Sequence, residues 1–190
     1  MEPGRRGRVL HSVPMLEPRL QQSFFDCADL LYQAAEPLAR PLDDALQAVV
    51  ACLTAGGKLL AAGGPLAGHA AALLVRGYER ERPPLAALSI EADPTPLRAL
   101  GQPGDLLLLI DDGLPAPAAL TLVEAAHAQD MAVIAFAGAA PAWRGALAET
   151  DVLLAVPHER AARVREVQLL MLHALADGID LQLLGEQDPA

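Results

Sequence analysis

The apolar positions of this chain change their spacing once, and the change divides it into two parts. From Leu20 onward, Phe24, Cys27, Leu31 and Ala34 recur at helical intervals, and Pro37 and Pro41 close that segment. A second helix is predicted from Leu42 to Thr54, with Asp43 and Asp44 in its first turn, where negative charge suits the helix dipole, and Gly56 just past its end. Beyond Gly57 the pattern becomes short, continuous apolar runs bounded by turn residues: Leu59 to Ala62, Leu85 to Ile90, Leu106 to Ile110, Met131 to Phe136 and Val152 to Val156. Runs of this length without alternation fit strands buried on both faces, as in a parallel sheet. Between them lie a helix from about Leu66 to the charged exit Tyr78-Glu79-Arg80-Glu81-Arg82, a turn at Leu97 to Gly101, a helix over Pro117 to Gln129 and a short one at Trp143 to Ala148. The final helix runs from about Glu159 to Leu184. The pattern predicts an α/β protein, a three-layer α/β/α sandwich with a five-stranded parallel sheet, preceded by two N-terminal helices.

The last helix is apolar on more than one side, through Val164, Val167, Leu169, Leu170, Met171, Leu172, Ala174 and Leu175. Such a helix needs two partners. One is the sheet and the other is expected to be a second subunit, making the chain a homo-oligomer, dimer or tetramer. Residues 1–15 carry Arg5, Arg6 and Arg8 among glycine and proline with no period, and are expected to be a disordered tip, with Met15 a candidate start. Residues 16–186 then form a single domain and 187–190 a tail.

Composition narrows the function. The chain is 53% hydrophobic but only 3% aromatic, and its formal net charge is -10 with a pI near 4.8. Direct nucleic-acid binding is therefore not expected, since both phosphate neutralisation and base stacking lack their residues. Cys27 and Cys52 sit in apolar, helix-like stretches without CxxC spacing, which reads as free thiols in a reducing compartment and points to the cytoplasm. The continuous apolar runs are far shorter than the roughly 20 residues a membrane helix needs, so no membrane association is expected.

Two polar turns follow strands, where open α/β sheets bind ligands. The first is Gly63-Gly64-Pro65-Leu66-Ala67-Gly68, leading into His69. Backbone N–H groups at a helix N-terminus suit an anion there, but the loop holds no serine, threonine, asparagine or lysine. The second is Asp111-Asp112-Gly113, expected to be a solvated acidic turn rather than a magnesium site. Gly63, Gly64, Asp111, Asp112 and Gly113 are candidate ligand-binding residues, and no cofactor is expected. The Arg80-Glu81-Arg82 run reads as a solvated helix end.

Several blocks in order carry a family resemblance: Gly57-Lys58-Leu59-Leu60, Tyr78 to Pro83 with Leu85 to Leu88, Arg98 to Gly101 through Gly104 to Leu108, and Pro157, Arg160, Ala162 to Val164 and Glu166. The chain resembles the SIS (sugar isomerase) domain family, of flavodoxin-like fold, in the group that holds phosphoheptose isomerase and the DnaA initiator-associating protein DiaA. The resemblance implies a phosphosugar pocket whose two loops read G-N-G-x-S and S-T-S-G-N-S, a helical glutamate as base and a histidine on the last helix. The glutamate position falls near Leu73, the histidine on His173, a further histidine on His69 and a family glutamine on Arg165. The resemblance so adds His69 and His173 to the candidate ligand-binding residues, read as structural histidines or remnant ligands, too few for a metal site. It also implies that these helices meet across subunits. Here the hydroxyls are missing, and two carboxylates beside a phosphate would repel it by ~1 kcal/mol per close pair even in water. The resulting expectation is a catalytically degenerate binding or regulatory module of the DiaA kind, with the DnaA initiator as partner, no catalytic residue and His173 as a remnant. The alternative is a phosphosugar isomerase acting on sedoheptulose 7-phosphate through an altered pocket.

Overall fold

The computed structural model describes residues 16–185. The expected disordered tip and the tail fall outside the described residues. Element order is α1 (Leu16–Thr54), β1 (Leu59–Gly63), α2 (Pro65–Arg76), β2 (Ala87–Ile90), α3 (Pro94–Leu100), β3 (Leu106–Ile110), α4 (Ala116–His127), β4 (Ala132–Ala137), a 3-10 turn (Arg144–Ala146), β5 (Val152–Ala155) and α5 (Ala161–Leu184). The strands form one five-stranded parallel sheet in the order β2-β1-β3-β4-β5, as the apolar runs predict.

Alternating side chains of each strand feed two cores. Leu59, Ala61, Leu106, Leu108, Ile110, Ile134 and Phe136 pack with α1, α2 and α5, whereas Leu60, Leu107, Leu109, Val133 and Ala135 pack with α3 and α4. All five residues of β3 are buried, because helices cover both its faces. The amino ends of the strands are tied by carboxylates. Asp105 accepts from the backbone N–H groups of Lys58 at 2.9 Å and Gln102 at 2.8 Å, joining β1 to β3, and Asp151 accepts from those of Val133 and Ala148, both at 2.8 Å, joining β4 to β5. These bonds close one end of the sheet and leave the carboxyl ends open.

The N-terminal part differs from expectation. One continuous helix of 39 residues replaces the two predicted, with Pro37 and Pro41 inside it. Each proline removes an N–H donor, yet the buried series Leu30, Ala34, Leu38, Ala45, Val49 and Cys52 keeps its period across both. Packing on α5 and the sheet outweighs the lost bonds. The turn at Leu97 is a full α3, started by Asp93, whose carboxylate accepts from the Thr95 N–H at 2.9 Å. Among the described residues α5 alone is long and apolar enough to cross a bilayer, but it is packed as a core helix through Val164, Val167, Met171, Leu172, Leu175 and Ile179. Cys27 and Cys52 are free, Cys52 buried and Cys27 half-buried.

Candidate functional site

The carboxyl ends of β1 and β3 lie side by side, Gly63 paired with Ile110, where the strand order reverses direction. Gly63 has φ of 138, and a Cβ there would strike the Ile110 carbonyl, so the turn out of β1 needs glycine. Gly64 follows as the N-cap of α2 with no side-chain cap. A Cβ on Gly64 would run into the Asp112 carboxylate, which therefore sits at the positive end of the α2 dipole.

The Asp111-Asp112-Gly113 turn is not the solvated acidic turn expected. Asp111 accepts from the N–H groups of Gly113 at 3.2 Å and Leu114 at 3.1 Å, and from Trp143 Nε1 at 3.0 Å. Asp112 is only 8% exposed, and its Oδ2 receives no hydrogen bond among the described residues. Arg165 supplies the compensating charge: its Nε lies 3.4 Å from that oxygen, an ion-pair distance, while its Nη2 donates to the Asp112 carbonyl at 2.9 Å. Gln168, fully buried, donates to the Asp111 carbonyl at 3.0 Å. Burial follows because α5 lies over the turn and places Arg165 and Gln168 on it. Asp111, Asp112, Gly113, Gly138 and Glu159 line an opening beside the turn.

One turn and a quarter into α2, His69 faces His173 of α5, with Nε2 to Nε2 at 3.0 Å and the rings edge-on at 66°. This meeting occurs within one chain and does not need a second subunit. Tyr78, just after α2, stacks on the His173 ring, with ring centroids 4.9 Å apart and planes 22° from parallel. Burial, followed by the neighbouring His173, holds the His69 imidazole below its ordinary pKa. His69 is thus neutral near pH 7 and able to take up a proton. Leu73, one turn further along α2, is buried and offers no carboxylate.

The predicted ligand-binding residues fall into two groups: Gly63, Gly64, Asp111, Asp112 and Gly113 at the carboxyl ends of β1 and β3, and the His69–His173 pair between α2 and α5. No cluster of three or more histidine, cysteine or carboxylate groups fit for a metal occurs among the described residues. Sequence reasoning missed Tyr78, Gln168 and Trp143 as site residues and did not give Arg165 a role. The signal for Arg165 is its place two helical steps of four before His173, on the same face of α5.

No protein-family model matches the chain. Whole-chain relatives are nevertheless plain. The phosphoheptose isomerase of Methylibium petroleiphilum is 47% identical, over 92% of this chain and 98% of that protein. That of Azoarcus sp. is 39% identical, over 90% and 98%. The structure of a phosphoheptose isomerase from Francisella tularensis superposes with a TM-score of 0.81 at 29% identity, covering 86% of this chain and 97% of that one. GmhA from Neisseria gonorrhoeae gives 0.77 at 30%, covering 87% and 99%. These matches overturn the expectation of a degenerate binding module of the DiaA kind, because proteins so similar over their whole length are named as isomerases. Missing loop hydroxyls weighed too heavily in that expectation. An identity of 47% sustained over nearly the full length of a relative, on a fold shared with solved phosphoheptose isomerases, shows that the chain belongs to the phosphoheptose isomerase family.

Proposed function

We propose that this protein is a phosphosugar isomerase that takes sedoheptulose 7-phosphate, or a phosphoheptose of the same class, through a pocket altered from the family pattern. The observation that carries the reading is the His69–His173 pair at 3.0 Å, between α2 and α5 in a chain similar to a phosphoheptose isomerase over 92% of its length. Interconverting a ketose and an aldose moves one proton between adjacent carbons and another between their oxygens. The carbon proton needs a base within hydrogen-bond reach. With Leu73 unable to serve, that role falls to His69, kept neutral by burial. It removes a proton from the carbon beside the carbonyl, the electron pair forms the enediol double bond, and His69 delivers a proton, in part exchanged with water, to the neighbouring carbon. His173, in contact with His69 and steadied by Tyr78, exchanges protons with the sugar oxygens.

Arg165 places a cation beside the 111–113 turn, with its side chain 49% exposed. The free thiols of Cys27 and Cys52 support action in a reducing compartment such as the cytoplasm.

The test is turnover of sedoheptulose 7-phosphate by purified protein, with deuterium uptake from heavy water at the sugar carbon. His69→Gln and His173→Gln are each expected to lower kcat by about 10²-fold or more, the usual contribution of general acid–base catalysis. A wild-type protein with neither turnover nor deuterium exchange overturns the reading.

A further inference from the structure

Arg82 is used in an unusual way for a buried arginine. Its side chain and that of Asp180 on α5 are each 1% exposed, and its Nε pairs with Asp180 Oδ1. A guanidinium facing a carboxylate usually gives two parallel bonds. Here Nη1 and Nη2 turn away to donate to the carbonyls of Leu74 at 2.7 Å and Leu73 at 3.0 Å, at the C-terminal end of α2, and Asp180 Oδ2 is left without a partner among the described residues. Since a buried ion pair adds little net stability even at its best, an incomplete one suggests that its geometry serves something else.

The geometry points to the segment between α2 and β2. Gly77, with φ of 86, caps α2 and turns the chain back so tightly that a Cβ would stand 2.5 Å from the Arg80 carbonyl. The next residue is Tyr78, stacked on His173. Two ties then fix the segment to the last turns of α5: Arg80 Nη1 donates to the Gly185 carbonyl at 2.9 Å, and Arg82 pairs with Asp180. Arg82 therefore joins three things, the end of the helix that carries His69, the helix that carries His173, and the loop that carries Tyr78.

We propose that Arg82 and Asp180 are positioning residues, which act through Tyr78 and the α2–α5 spacing to hold the His173 ring against His69. The rate consequence rests on the isomerase reading above; the placement of the ring does not. The solvated helix end predicted from Arg80-Glu81-Arg82 is accordingly wrong for Arg82, which is buried because α5 supplies Asp180.

The experiment compares Arg82→Lys, Asp180→Asn, Tyr78→Leu and Tyr78→Phe in the full chain by imidazole NMR signals and sedoheptulose 7-phosphate kinetics. Stacked rings impose a ring-current shift on His173, so Tyr78→Leu should move its signals and Tyr78→Phe should leave them near wild type. Arg82→Lys and Asp180→Asn should move them toward the Tyr78→Leu position, with kcat down roughly tenfold or more, set against the about 10²-fold that a misplacement near 1 Å can cost. KM should stay within a few-fold. Val133→Ala, a core truncation on the opposite face of the sheet, controls for lost stability and should leave the His173 signals in place. Unmoved signals in either folded clamp variant, or in Tyr78→Leu should both clamp variants fail to fold, overturn the proposal. If the wild type shows no turnover, the isomerase reading fails while the NMR comparison still decides the positioning role.

Discussion

His69 illustrates how far a single residue can be read before its surroundings are known. Its place after a glycine loop marked it as a candidate, but the partner across from it, 104 positions later in the chain, is set by how α5 lies on α2. That packing holds the imidazole below its ordinary pKa and gives stability a pH dependence. An unfolded histidine titrates at about 6.5. The folded value of His69 is lower, so between the two the unfolded chain binds more protons and stability rises with pH. Acidification through that window should destabilise the protein, and His69→Gln should flatten the wild-type slope in denaturant unfolding measured across pH 5 to 7.5. An unchanged slope would mean that His69 is not held neutral. On the isomerase reading, the same depression should place the acid limb of kcat/KM below the ordinary histidine range. Asp112 was legible as a carboxylate after a strand, but its burial was not, because Arg165 reaches it from 53 residues away.

At the level of elements, the strands could be read almost to the residue and α1 could not. Continuous apolar runs between turn residues have few alternatives, and β3 is Leu106–Ile110 in both readings. Prolines, in contrast, were weighed by their local cost, and tertiary packing overrode it. Pro37 is exposed inside α1, so it brings the loss of one helix bond without contributing to the core. Pro37→Ala is expected to stabilise the protein by up to about 3 kcal/mol, the proline penalty in a helix interior, seen as a higher denaturation midpoint at constant slope. A drop would show that the proline sets a bend that α1 requires. The Arg82–Asp180 tie between loop and helix behaves oppositely. Asp180→Ala leaves a buried guanidinium uncompensated and should cost about 3–5 kcal/mol, read by the same titration.

For the whole molecule, the parallel sheet and its family were visible in the sequence, while the activity was misjudged because two short loops were set against a likeness that extends over 92% of the chain. Oligomerisation was inferred from α5, and α1 adds to the case. Its first buried residue is Leu30, while Leu16, Leu20 and Phe24 are 60%, 65% and 77% exposed. A bare helix of such length is marginal in water, so this part of α1 needs a partner. Beside it, Leu31, Ala35, Leu38, Leu170 and Ala174 line an apolar groove between α1 and α5. We propose that a second copy of this chain covers both. With a net charge of -10 on each copy, attraction has to come from apolar area, and this face supplies it continuously. Sedimentation velocity at micromolar concentration should show a dimer or tetramer, and Leu170→Glu or Phe24→Glu should shift it to monomer with the helical circular dichroism retained. The histidine pair lies within one chain, so a folded monomeric variant should keep the mutual NMR signature of His69 and His173. A wild type that sediments as a monomer would leave the apolar face without its partner and sink the assembly.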